Sequence, residues 1–219
     1  MESDFTGPRS LSMARQNFAV RLRFVSLASL AVLVLLYAAG VNLALWFYPL
    51  VIFISRYCWI VSTEKLSESR RAEQGANGED EVARVLKELP EGWSCMRNLI
   101  VQGVGDVDFL ITSPSKQYFV IDVKSHAGLV TSKDGVLLRQ MNGAQRLFEK
   151  DILAQCMKQA IAVRENGKLP FVRALIVFSQ ATLALEDRKL RGVCLLQKNE
   201  LVEFLQSADR VSSQSKQNR

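Results

Sequence analysis

The sequence predicts an α/β domain built around a mixed β-sheet and preceded by a hairpin of two membrane-spanning helices. Three observations carry this. Residues 24–55 contain no charged side chain. Beyond Gly78, a short amphipathic helix, several strands, a long helix and a further strand follow one another, as in layered α/β proteins. Within those strands, Asp106, Asp108, Asp122 and Lys124 interrupt otherwise apolar runs.

The apolar segment is too long for one crossing. A spanning helix needs about 20 residues for a hydrocarbon core of about 30 Å. Residues 24–61, with Arg56 their one charge, would extend roughly 57 Å as a single helix at ~1.5 Å per residue. Gly40, Val41 and Asn42 offer a break, and Trp46, Phe47, Tyr48 and Pro49 suit an interface or a kink. Two spans follow, about 22–39 and 43–61, with the lipid bilayer as the partner of residues 22–61.

Arg9, Arg15, Arg21 and Arg23 precede the spans, and Arg56, Lys65, Arg70 and Arg71 stand at the other outer end. The connecting loop carries no charge, so the positive-inside tendency predicts an inner or cytoplasmic membrane protein with both termini and its bulk in the cytoplasm. A cleaved signal would have a shorter apolar core and no second apolar segment. A buried soluble helix pair fits such an uncharged run poorly. One tilted span is the remaining rival, and it would place the rest of the chain across the membrane.

Net charge is +6, compatible with a polyanionic substrate and diagnostic of none. The four cysteines (Cys58, Cys95, Cys156, Cys194) show no paired spacing and the chain has one histidine, so no zinc-binding pattern exists. Scattered cysteines fit a reducing compartment.

Residues 1–21 form a basic arm, and residues 62–74 read as a linker or polar continuation of the second span. Gly75 to Gly78 interrupts it, and Glu79–Leu89 reads as an amphipathic helix closed by Pro90 and Gly92. Strands are expected at Trp93–Val101, Val107–Thr112 and Tyr118–Lys124, the last two joined by a turn at Ser113, Pro114 and Ser115. A small hairpin turns at Lys133, Asp134 and Gly135 between Leu129–Thr131 and Val136–Arg139. Gly143–Glu165 reads as a long helix, Val172–Ser179 and Val193–Leu196 as strands, and Lys198–Gln206 as a last helix. The polar tail from Ser207 is expected to be disordered.

Strand alternation puts Asp106 and Asp108 on one face, and Asp122 and Lys124 on one face of the next strand. Converging charges on a largely buried sheet are costly unless a cation, proton or substrate neutralises them, which points to a divalent-metal site with an attendant lysine. The plain alternative is a surface Asp122–Lys124 ion pair, which would contribute little. On the helix after Gly78, the apolar stripe is Val82, Val85, Leu86 and Leu89. Helical phase puts Glu79 at its edge, facing the sheet, and turns Asp80 and Glu81 away. Glu79 could equally serve the helix dipole alone. On the long helix, Gln155 and Gln159 border the core stripe, as ordinary boundary residues or to orient water or phosphate. His126 reads as a turn residue. Arg139, Arg146, Lys150, Lys158, Arg164 and Arg173 offer a phosphate-binding face or a solvated helix surface.

Gly78-Glu79 before an apolar-patterned helix, Gly105-Asp106-Val107-Asp108, then Ile121-Asp122-Val123-Lys124 with Gly128 close behind resemble the nuclease-related domain (NERD) family. That family is placed in the PD-(D/E)XK, restriction-endonuclease-like superfamily. Gln155 and the strand through Ser179 fit its later parts, and the resemblance covers about residues 75–206. It implies a central mixed sheet flanked by helices. It also implies Asp108 and Asp122 as metal ligands with Glu79 as a further acidic ligand, Lys124 as the catalytic lysine, and Gln155 as an accessory residue. Asp122 replaces the commoner glutamate, one methylene shorter.

The expected function is a membrane-tethered, Mg²⁺-dependent nuclease (Mn²⁺ serving in its place) that hydrolyses phosphodiester bonds of DNA or RNA. The partners expected are nucleic acid, DNA first, the bilayer, and membrane-complex or homo-oligomer partners. The alternative is a non-catalytic nucleic-acid-binding or scaffold module on the same anchor.

Overall fold

A computed structural model describes residues 8–40 and 47–217. The chain divides into two units, residues 1–76 and 77–219.

The first unit holds helix α1 (Pro8–Ala38) and most of helix α2 (Phe47–Leu86). The two helices pair antiparallel along a seam of small polar residues. Ser26 Oγ donates to the Ser55 carbonyl at 3.0 Å, Ser29 Oγ and Ser55 Oγ lie 2.7 Å apart, and Ser62 Oγ donates to the Ala19 carbonyl at 2.8 Å. Arg23 Nε reaches Ser62 Oγ at 3.1 Å, and its guanidinium stacks over the Trp59 ring. Ser55, Ser62 and Ser69 are buried at seven-residue spacing, the period of a supercoiled helix pair. Outward lie Phe24, Leu35 and Phe53, each about two-thirds exposed or more (69%, 68% and 71%). Polar inside and apolar outside inverts the pattern of a water-soluble helix pair.

Among the described residues, one helix is long and apolar enough to cross a membrane, Met13–Ala38, 26 residues with mean hydropathy 2.1. The second expected span does not stand out as one. Its start at Leu43, together with Val41 and Asn42 of the expected break and Trp46 beyond it, lies outside the described residues, and Arg56 and a polar continuation dilute the rest. Residues 62–74, read as a linker, are helical, and Gly75 and Gly78 do not break α2. Each glycine costs about 1 kcal/mol against alanine, too little to end a helix whose flanks are rich in Glu, Arg and Ala.

The second unit is the expected α/β domain with a mixed sheet. Its six-stranded sheet runs β1 (Ser94–Val101), β2 (Gly105–Thr112), β3 (Tyr118–Lys124), β7 (Val172–Phe178), β10 (Val193–Gln197) and β9 (Lys189–Leu190) in spatial order. Strands β3, β7 and β10 are parallel, and the remaining pairs antiparallel. A four-stranded sheet is ordered β6 (Ala144–Leu147), β5 (Val136–Met141), β4 (Gly128–Lys133), β8 (Ala181–Leu183). Helix α3 (Ile152–Asn166) covers one face of the main sheet, its Leu153, Cys156 and Ala160 packing with Val120, Ile176 and Leu195. The end of α2 and helix α4 (Leu201–Gln217) cover the other, through Val82, Leu86, Leu201 and Leu205 against Phe109, Phe119, Ile121 and Leu175. A strand buried on both faces explains the near-continuous apolar run of β7.

Two expectations fail here. The segment read as one helix from Gly143 begins as strand β6, because Asn142 and Gly143 take positive φ (52° and 78°) and close a two-residue hairpin between β5 and β6. The helix starts only at Ile152, where Asp151 Oδ1 accepts from the Ala154 N–H at 3.0 Å. The tail expected to be disordered is helical to Gln217. Within it, Asp209 accepts from both the N–H and the hydroxyl of Ser115, fastening α4 to the β2–β3 turn.

Candidate active site

Strands β2 and β3 pair antiparallel from Phe109–Ile121 to Thr112–Tyr118. Beyond that ladder Asp108 Oδ2 accepts from the Val123 N–H at 2.7 Å. A side chain thus takes the bond that the ladder no longer supplies, and Asp108 is locked beside the end of β3. Asp122 is buried, at 4% exposure. Lys124, two residues on and so on the same face, places Nζ 2.7 Å from Asp122 Oδ2. Glu79 is half-buried on α2, and so are Asp80 and Glu81, which helical phase turns away from the sheet. Asp80 turns to Arg97 (3.0 Å) and Glu81 to Lys198 (2.6 Å).

The electrostatics show convergence. Burial pushes the Asp108 carboxyl up to about 7, with further upward pressure from Asp122 and Glu79 and relief from the Val123 N–H and Lys124. Burial also raises Asp122 against the opposing pull of Lys124. Glu79 is raised by burial, restrained by Arg97 and pushed further by Asp80, Asp122 and Asp106. Glu79, Asp108, Asp122 and Lys124 therefore share one field. The carboxylates do not form a ready-made cage: among the described residues no three Asp, Glu, His or Cys side chains group closely enough to hold one ion. Asp106 is exposed.

Helix α3 closes the site from above the sheet, but through a different glutamine. Gln155 is exposed. Gln159 is buried at 2%, and its Nε2 donates to the Asp106 carbonyl at 2.8 Å, tying α3 to the start of β2. Gln155 and Gln159 sit on the same side of the helix by spacing, and only the burial decides between them. Cys156 lies near enough to Asp122 and Asp108 to be pushed out of the thiolate range, chiefly by burial.

Gly78 is also part of the site's construction. A Cβ there would stand 2.8 Å from Ser125 Cβ and 2.9 Å from Ser179 Oγ, so its hydrogen lets α2 press against the ends of β3 and β7 and deliver Glu79. Ser179 N donates to the Lys124 carbonyl at 3.1 Å, holding that end of the two strands together. His126 packs edge-on against Phe148, ring centroids 5.3 Å apart. Burial holds its imidazole below the ordinary range, aided by Arg139 and Lys124.

By donor chemistry alone, Asp108 and Asp122 are the kind of ligand a hard divalent ion would take, although no third acid joins them among the described residues. Two partly or wholly buried carboxylates that repel one another, with oxygen donors and no thiolate or imidazole among them, suit Mg²⁺ or Mn²⁺ better than zinc.

The model of the nuclease-related domain family matches residues 74–179. A search of curated proteins finds no match. Among solved structures, a repair endonuclease from Pyrococcus abyssi aligns at TM-score 0.30 and 16% identity, covering 60% of this chain. The chain spans 42% of the length of that structure. From Gly78 to Ser179, every residue of the site lies inside residues 74–179, the segment that matches the nuclease-related domain (NERD) family.

Proposed function

We propose that the domain hydrolyses phosphodiester bonds of nucleic acid, DNA in the first place, at Asp108, Asp122 and Lys124. The observation that carries this is the Asp108 carboxyl, held by the Val123 N–H beside a buried Asp122–Lys124 pair and raised to about 7. Such clustering of perturbed groups has little structural benefit and is common where charge is to be neutralised on binding. Asp108 and Asp122 would hold Mg²⁺, with Glu79 at its margin, and the ion when bound would supply charge neutralisation and a more acidic water. Lys124 contributes a fixed positive charge for the phosphoryl oxygens. Asp122 keeps the ammonium in place until substrate arrives. Gln159 acts at one remove, positioning the strand that carries Asp108.

We further read the first unit as a membrane anchor of two helices. The serine seam turned inward and the apolar side chains turned outward support it. Both ends would lie on the cytoplasmic side by the distribution of arginines.

A second reading has its own support. Among the described residues no three acids stand close enough to ligate one ion, and on this reading the domain binds nucleic acid without cutting it, as a tethered scaffold. Plasmid cleavage by the full chain in detergent with Mg²⁺ or Mn²⁺, compared with Asp108→Asn and Lys124→Ala, separates the two. Cleavage lost in both variants supports the nuclease. Retained DNA binding with no cleavage by the wild-type protein supports the scaffold.

A further inference from the structure

We propose that Arg139 and Arg146 form a paired guanidinium seat for the phosphodiester backbone of the nucleic acid strand that approaches the Asp108–Asp122 site. This rests on the nuclease-domain reading above.

The register of β5 and β6 sets Arg139 directly opposite Arg146. Like charges directly opposed in an antiparallel pair destabilise it, and no carboxylate pairs with either residue among the described residues. The hairpin thus retains a repulsion that an anion would relieve. Arg139 is held in place: its Nε donates to the Ala127 carbonyl at 2.7 Å and one Nη to Met141 Sδ at 3.0 Å, which leaves its other Nη for a ligand. Ala127 belongs to the short segment that leaves β3 after Lys124 and enters β4, so the guanidinium is fastened to the backbone next to the catalytic lysine. Arg146 is exposed and open to a ligand. Both Arg139 and Lys124 bear on His126, between them in the chain, and their combined field opposes its protonation. Arg139 and Lys124 thus both stand close enough to act on His126, behind burial and against Glu149.

The chemistry selects the ligand. A guanidinium presents a planar fork of donors that matches phosphate oxygens bidentately. Two guanidiniums opposed on a strand pair, Arg146 with its whole fork and Arg139 with its remaining Nη, fit consecutive phosphates of one strand. Backbone contacts of this kind fix position and carry no sequence information.

The test is equilibrium binding of a fluorescein-labelled DNA duplex and its single strand to the full chain in neutral-detergent micelles, without divalent cations so that nothing is cut. Arg139→Gln/Arg146→Gln is expected to weaken binding at least ~10-fold at low salt. It should also reduce the slope of log affinity against log salt concentration by about 2. Arg146→Gln alone should lower the slope by about 1, with a melting temperature unchanged or raised because the repulsion is gone. That second result stands even where losing the Arg139–Ala127 bond unsettles the hairpin. Arg210→Gln, on α4 against the opposite face of the sheet, should change neither quantity.

Unaltered affinity and slope in both arginine variants overturn the proposal. So does a wild-type protein that binds no nucleic acid, or variants that lose only their attachment to phosphatidylglycerol nanodiscs, which would assign the arginines to lipid. The nuclease reading fails separately. Cleavage that needs Asp108 but ignores both arginines removes the seat and leaves the nuclease. Arginine-dependent binding without any cleavage keeps the seat and removes the nuclease.

Discussion

Lys124 Nζ sits 2.7 Å from Asp122 Oδ2, in a pair whose side chains are 15% and 5% exposed. The two residues are neighbours-but-one on a strand, so the contact needs no loop to adapt and is set by the pleat itself. A pair this buried differs in kind from a surface ion pair: removing one member leaves the other uncompensated.

Lys124→Ala should therefore abolish cleavage and also strip Asp122 of the charge that offsets its burial. We expect a stability loss of about 3–5 kcal/mol at pH 8. The loss should be smaller at pH 5, because without the lysine Asp122 takes up a proton. Chemical denaturation at the two pH values measures this. An equal loss at both would mean that Asp122 stays ionised without its partner.

Asp108 gives the clearest pH dependence. Its folded-state value of about 7 lies above the ordinary 3.8, so the fold prefers the protonated form. Its contribution is favourable while the proton is retained and declines as pH rises from about 4 through 7, by at most ~4 kcal/mol. Asp108→Asn removes that dependence. The variant should match wild type near pH 4 and exceed it in stability at pH 8, while failing to cleave. Denaturation midpoints across this range decide it, and parallel curves for the two proteins would contradict the assignment.

Gly78→Ala should cost about 1–3 kcal/mol through overpacking against Ser125 and Ser179. Displacing Glu79 should also reduce cleavage. Pairing it with Ser179→Ala or Ser179→Gly, which opens room on the strand side, should return part of both. A melting temperature unmoved by Gly78→Ala would show that α2 does not approach the strands so closely.

Gln159→Leu keeps the bulk and removes the donor to the Asp106 carbonyl, leaving that acceptor unpaired at about 1–3 kcal/mol. Gln155→Ala, on an exposed position, should stay within about 0.5 kcal/mol of wild type. Its cleavage rate tests whether Gln155 touches substrate, and an unchanged rate would take it out of the site.

Much of the site was legible because strand periodicity is strict. Asp108, Asp122 and Lys124 sit in apolar runs where alternation admits one arrangement, and β3 falls at its expected bounds. Helical phase separated Glu79 from Asp80 and Glu81 less well: all three are half-buried, because Arg97 and Lys198 draw Asp80 and Glu81 onto the domain as well. What failed was punctuation. Asn142-Gly143 is a hairpin signal, yet the helix-compatible residues after it outweighed it. Gly78 read as a break because sequence cannot tell a glycine that ends a helix from one that lets it pack closely. Gln155 and Gln159 share a helix side, and choosing between them needs the depth of each in the core. The tail was polar enough to look unstructured, but Ala208 and Asp209 continue the docking face that Leu201, Phe204 and Leu205 begin on α4.

The account depends most on Asp108 and Asp122 sharing a divalent cation. Titrating Mn²⁺ into the full chain at pH 7, with calorimetry in two buffers of different ionisation enthalpy, reads binding and proton release together. Wild type should bind one ion and release a fraction of a proton, because Asp108 is then partly protonated, and Asp108→Asn should lose both signals. Binding with no proton release, or binding undiminished in Asp108→Asn, would contradict it.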